Sequence, residues 1–185
     1  MVYINIFFKI EIEGRENLDY NRTYIVISNH ASYIDPPLLG ISIPRPIAYM
    51  AKEEIFKVPI LRTIVRFNGA FSVNRKKKDS SFIKNTIYAL KNGWLVAIFP
   101  EGTRSVDGKL LKMRSGVARI LLEEPFPILP VALINTHKAF PKKGKIKLFS
   151  KIKVRIGKIV EVNEYMPPDN LTYEEKIEYL KNFLW

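Results

Sequence analysis

Tyr24-Ile25-Val26-Ile27-Ser28-Asn29-His30-Ala31-Ser32-Tyr33-Ile34-Asp35 is the stretch from which the rest of this chain is read. An unbroken apolar run giving way at once to small and polar residues is the pattern of a buried strand that ends in a turn. A side chain placed just beyond the end of such a strand is well positioned for chemistry. His30 is one of two histidines in the chain. An imidazole with a carboxylate partner is the simplest proton-abstracting device near neutral pH. Residues five apart on a regular helix point about 140° away from each other, so the segment from His30 to Asp35 is expected to turn. Pro36 and Pro37 suit the first turn of a helix. Asp35 is therefore expected to N-cap a short helix through Leu38, Leu39 and Ile41. A carboxylate has two oxygens, so capping and orienting an imidazole are compatible; the competing reading is that Asp35 only caps and His30 is a turn residue. The chain has no cysteine and no Gly-x-Ser-x-Gly elbow. The hydroxyl that such a pair activates would then come from a substrate.

Working outward, Val2, Ile4, Ile6 and Phe8 alternate with polar residues as a strand does, and Gly14 with Asn17-Leu18-Asp19 marks a turn. Further strands are expected at 47–51, 71–73, 94–99 and 128–134. Helical pieces are expected over 53–67, broken at Pro59, with a helix over 80–92 and another over 116–124. The stretch 145–162 reads as two strands with a turn near Gly157. Thr172 is placed to cap a last helix, whose apolar stripe is Ile177, Leu180 and Leu184. Strands alternating with helices predict an α/β fold with a largely parallel or mixed central sheet flanked by helices. A basic C-terminal β extension and a terminal helix follow. One domain over 1–185 is expected, with a motif-bearing core at about 10–160 and a helix at about 172–184.

Apolar residues make up 47% of the 185, which argues against disorder, and the longest apolar runs are far too short to span a bilayer. No secretory leader is evident. The absence of cysteine excludes disulfides and thiolate metal sites. The net charge of +12 calls for an anionic partner: nucleic acid, an acidic carrier protein or a phospholipid surface. It is unevenly spread. Arg75-Lys76-Lys77-Lys78 is one cluster, and from Lys138 to Lys158 basic residues recur with no acidic one between them. A solvated strand face whose lysines guard an edge is the plain alternative for that second stretch.

Two more polar sets follow expected strands: Gly69-Ala70-Phe71-Ser72-Val73-Asn74-Arg75 and Phe99-Pro100-Glu101-Gly102-Thr103-Arg104-Ser105. Arginines at two strand ends can clamp a phosphate bidentately, and a glycine before Thr103 lets backbone N–H groups approach an anion. With His30-x4-Asp35 and the apolar-Pro-apolar triplet Leu129-Pro130-Val131, these sets stand in the order and at the intervals seen in glycerolipid acyltransferases. The chain resembles that family, specifically bacterial 1-acylglycerol-3-phosphate acyltransferases, over roughly residues 10–160. It departs from the family in having Asn74 where an aspartate is common, and Met113-Arg114-Ser115-Gly116 where Phe-Lys-x-Gly is common; Lys112 is an adjacent substitute for that lysine.

The resemblance implies acyl transfer from a thioester to the 2-hydroxyl of lysophosphatidic acid, giving phosphatidic acid. It casts His30 as general base and Asp35 as its orienter, without a covalent intermediate. It implies that Arg75, Glu101, Gly102, Thr103, Arg104 and Arg114 hold the acceptor's phosphate, with Glu101 orienting an arginine. Gly102 and Thr103 can equally offer N–H groups to the developing oxyanion. No metal and no cofactor is implied beyond an acyl-carrier-protein or acyl-coenzyme A donor. Many relatives carry an apolar membrane-attaching segment ahead of the core. Here the core begins almost at once, so surface patches are expected to hold an anionic membrane, peripherally on the cytoplasmic face of the cell membrane. The alternatives are another acceptor (glycerol 3-phosphate or a phosphate-free lysolipid), a metal-dependent hydrolase, and a nucleic-acid-binding module. The last lacks any zinc-finger, RNP-like or helix-turn-helix signature.

Overall fold

Strands that are apolar on both faces need cover on both faces, and that requirement shapes this chain. The computed structural model describes residues 7–52, 71–73, 81–142 and 144–185. In chain order these form β1 (Lys9–Glu13), a 3-10 turn (Arg15–Asn17), β2 (Ile25–Ser28), α1 (Asp35–Ser42), β3 (Ile47–Lys52), β4 (Phe71–Val73), α2 (Ser81–Lys91) and β5 (Leu95–Ile98). There follow α3 (Gly116–Glu123), β6 (Ile128–Ile134), α4 (Thr136–Ala139), β7 (Lys151–Ile156), α5 (Val162–Tyr165) and α6 (Tyr173–Leu184). The strands form one seven-stranded sheet in the order β1-β7-β6-β2-β5-β3-β4. The five strands from β6 to β4 run parallel, with Ile27 opposite Ile98 and Ser28 opposite Val131. β7 is antiparallel to β6, and β1 is parallel to β7. The sheet is therefore mixed and α/β, as its residue pattern implied.

Every residue of β2 and β5 is buried. Val26, Leu95 and Ala97 face one core with Leu38 and Leu39 of α1, Ile43 just after it and Val154 of β7. Ile25, Ile27, Val96 and Ile98 face the other, built with Leu90 of α2, Ile120 and Leu121 of α3, Tyr165 and Leu180. Alternation along each strand thus divides its side chains between two layers. Thr172 caps α6 with its hydroxyl, and Glu175 returns the bond to the Thr172 N–H at 2.8 Å, a capping box.

The described edge strand is Lys9–Glu13, with Ile10 and Ile12; of the alternation expected from Val2 to Phe8, positions 1–6 lie outside the described residues. Two expectations are corrected. The stretch 145–162 carries one strand, not two. Phe149 takes a left-handed φ of 60° and its N–H bonds Phe7, so the backbone before β7 cannot extend. After Gly157, whose N–H bonds Pro130 at 2.8 Å, the chain makes only an isolated bridge from Val160 to Ile128. Asp35, finally, is the first residue of α1 rather than its N-cap. The helical pieces expected over 53–67, and Arg75 with the lysines after it, lie outside the described residues.

Gly14 closes the far edge. Its φ is +82°, and a Cβ there would stand 2.0 Å from the Ile156 carbonyl oxygen. Left-handed backbone alone costs a non-glycine residue about 1–2 kcal/mol, and the clash adds to it. Gly14→Ala is expected to lower the melting temperature by at least about 4 °C, at roughly 2–4 °C per kcal/mol for a chain of this size. An unchanged melting curve would contradict the close approach.

Candidate active site

The buried strand β2 delivers Asn29 and His30 to the sheet edge where β5 and β6 also end. Asn29 behaves like one more strand residue. Its amide donates to the Leu133 carbonyl at 2.9 Å and accepts from the Leu133 N–H at 2.7 Å, so the turn begins clamped to β6. His30 then places its imidazole on the Phe99 ring, with centroids 4.2 Å apart and planes tilted 20°.

Asp35 Oδ2 lies 2.8 Å from His30 Nδ1 and accepts the N–H groups of Ala31 and Ser32, each at 2.7 Å. The carboxylate thus looks back along the chain, not forward into its helix. The reason is local: Pro36 and Pro37, next in the first turn, have no N–H to offer it. Two donors that a helix start normally leaves orphaned are missing, and the carboxylate is released to organise the turn before it. Its side chain is 0% exposed while that of His30 is 19% exposed. With Nδ1 committed to Asp35, Nε2 is the nitrogen that can meet a substrate.

The loop from Phe99 to Ser105 grips the backbone of His30 from both sides. Glu101 Oε1 accepts the His30 N–H at 2.7 Å, and the Ser105 N–H donates to the His30 carbonyl at 2.8 Å. Glu101 Oε2 takes the Leu111 N–H at 3.0 Å. Among the described residues, the partners of this buried carboxylate are backbone N–H groups; Arg75, an arginine it could orient, lies outside them. Burial raises its pKa above the ordinary 4.5, against the two N–H donors, which lower it.

Gly102 has φ +66°, and a Cβ there would come within 2.8 Å of the Arg114 side chain, so glycine is required. The Gly102 N–H closes a turn onto Phe99 at 3.0 Å and so is committed within the loop. Arg114 Nε donates to the Glu101 carbonyl at 3.2 Å. The Arg104 guanidinium lies over Tyr33, 3.4 Å from the ring centroid. Lys142 was not singled out by the sequence, yet its Nζ reaches the Arg104 carbonyl at 3.0 Å and Thr103 Oγ1 at 3.3 Å. It arrives there because Ser32 Oγ donates to the Phe140 carbonyl at 2.6 Å, tying the chain after α4 to the His30 turn. The site is thus an accessible imidazole beside two arginines and a lysine. Arg75 lies outside the described residues, and Lys112 is exposed. His137 packs against Gly108, where a Cβ would lie 2.3 Å from the ring. Among the described residues no three His, Asp or Glu side chains gather as metal ligands, and no helix is long and apolar enough to cross a membrane.

Residues 9–134 match the model of the family described as Acyltransferase. The chain is 34% identical over 142 residues to the 1-acyl-sn-glycerol-3-phosphate acyltransferase of Bacillus subtilis, covering 75% of this chain and 70% of that one. It is 34% identical over 138 residues to a chloroplastic 1-acyl-sn-glycerol-3-phosphate acyltransferase of Arabidopsis thaliana, covering 73% of this chain but 38% of the relative's length. The crystal structure of the 1-acyl-sn-glycerophosphate (LPA) acyltransferase of Thermotoga maritima matches with a TM-score of 0.75 at 30% identity, over 95% of this chain and 69% of that one. The chain belongs to the acyltransferase family.

Glu101→Gln leaves one acceptor for two backbone N–H groups, and a buried unsatisfied donor costs about 1–3 kcal/mol. The variant is expected to melt lower than wild type throughout. A carboxyl whose pKa is raised by folding contributes stability that is whole below its ordinary 4.5 and is lost as pH rises through the folded value. The gap between wild type and Glu101→Gln should therefore narrow from pH 4 to pH 7. Melting curves across that range check it; a gap that widens would contradict the raised pKa.

Proposed function

We propose that this acyltransferase moves a fatty acyl group from a thioester to the 2-hydroxyl of 1-acylglycerol 3-phosphate, making phosphatidic acid. The observation that carries this reading is the His30–Asp35 pair, with Nδ1 held at 2.8 Å and Nε2 left to face a substrate beside cationic side chains. In this reading His30 Nε2 takes the hydroxyl proton as that oxygen bonds to the thioester carbonyl carbon. The tetrahedral intermediate then expels sulfur, and the proton passes from the imidazolium to the leaving thiolate. Asp35 fixes the tautomer and stabilises the imidazolium that forms. No side chain is acylated.

The acceptor's phosphate rests on Arg104 and Arg114, with Arg75 assigned to the same task by its motif alone. The Thr103 N–H serves the phosphate or the oxyanion. Glu101 acts indirectly, by placing the His30 backbone. The donor is an acyl thioester of carrier protein or coenzyme A, and no cofactor takes part. The net charge of +12 supports attachment to an anionic membrane surface on its cytoplasmic face, since each cation near such a surface contributes about 1 kcal/mol.

Acyl transfer to lysophosphatidic acid, followed as phosphatidic acid formed from either thioester, tests the reading. His30→Ala and Asp35→Asn are expected to lower kcat on the order of 10³-fold or more, and His30→Ala should remain folded. Wild-type rates in His30→Ala would contradict the mechanism.

A further inference from the structure

The turn between α4 and β7 has a hydrogen-bonded backbone and apolar side chains left in solvent. The Lys147 N–H donates to Ala139 at 2.8 Å, the Phe149 N–H to Phe7 at 2.7 Å and the Lys9 N–H to Ser150 at 3.0 Å; Ser150 Oγ donates to Lys147 at 2.6 Å. The backbone is pinned, yet Ile146, Leu148, Phe149 and Phe7 are 49%, 52%, 65% and 47% exposed. Phe149 holds this place in the left-handed region, at φ 60°, where an aromatic residue is strained and glycine or asparagine would be at ease. Strain and exposure at one large apolar residue indicate a surface left uncovered among the described residues.

Charge says what meets it. Lys9, Lys145, Lys147 and Lys151 are exposed around these side chains, and no acidic residue stands between Lys138 and Lys158. The nearby Glu11 and Glu13 are engaged by Lys153 and Arg155 on the adjoining strand β7. Large apolar side chains ringed by lysines suit the boundary between anionic headgroups and acyl chains. An acidic protein would account for the lysines but not for three large apolar residues crowded into one turn.

Position gives the surface a purpose. β1 and β7 run against β2, β5 and β6, so Phe7 and the 146–149 turn lie at the sheet edge where those strands end and His30 stands. Three strand spacings, roughly 14 Å, separate β1 from β2. We propose that the 146–149 turn, with Phe7, inserts into the interface of an anionic bilayer and holds the His30 edge against the lipid that supplies the acceptor. The assignment rests on the reading of the acceptor as a lipid.

The test uses the full chain and vesicles of phosphatidylcholine and phosphatidylglycerol in equal parts. Leu148→Ser with Phe149→Gly removes both tips and relieves the strained φ, so the fold should survive and melt no lower than wild type. Vesicle partition is expected to fall at least about tenfold. Transfer to vesicle-borne lysophosphatidic acid should fall with it, while transfer to a water-soluble short-chain analogue stays at the wild-type rate. In a separate Phe149→Trp protein, the added fluorescence should be quenched by lipids brominated on their acyl chains. Partition within about twofold of wild type, or an unquenched tryptophan, would overturn the proposal. So would a loss confined to carrier-protein donors, which would mark the turn as a protein-docking surface. If wild type acylates neither acceptor, the functional reading fails, and the partition and quenching still decide whether the turn inserts.

Discussion

Three nitrogens converge on one oxygen of Asp35, and the site is organised by that convergence. Two of them, from Ala31 and Ser32, shape the turn; the third, His30 Nδ1, sets the imidazole. The arrangement is possible because the next two residues are prolines. A carboxylate at a helix start ordinarily serves the N–H groups of the first turn, and here those positions have none to serve. The same proline pair thus begins α1 and frees the acid to hold the His30 turn. Burial completes the constraint: a sealed carboxylate is costly to leave without partners, so the turn has little freedom to relax.

The sheet supplies the rest. β2 is buried on both faces and anchored through Asn29 to β6, so its end cannot drift relative to its neighbours. Strand β5 then releases the Phe99–Ser105 loop beside it, where Glu101 and Ser105 seize the two polar groups of the His30 backbone. Much of that motif is thereby a clamp on the imidazole. Its cationic face is made by Arg104, by Arg114 packed on Gly102, and by Lys142 arriving from beyond β6. A rigid imidazole next to cationic side chains is what the proposed reaction would use, since position accounts for much of such a rate.

Legibility in the sequence followed the range of the interaction. The central strands and α6 were readable from short apolar runs and from Thr172 with Glu175, because burial and capping are local patterns. His30 and Asp35 were readable because a turn of five residues can bring them together. The partners of Glu101 were not, for His30 lies 71 residues away and a backbone N–H has no sequence signature. Lys142 was hidden for a similar reason: it is one lysine in a run of them, selected only by the Ser32–Phe140 contact. The alternation before β7 misled because a strand pattern does not show that Phe149 will turn left-handed.

The account depends most on which nitrogen of His30 carries the proton. Long-range nitrogen–proton correlation of the histidine rings, recorded where they are neutral and assigned by the loss of one set of signals in His30→Ala, reads this directly. The expected result is a proton on Nδ1, donated to Asp35, and a bare Nε2. A proton on Nε2 would mean that the buried carboxylate does not hold the imidazole as a base, and the mechanism built on it would fall.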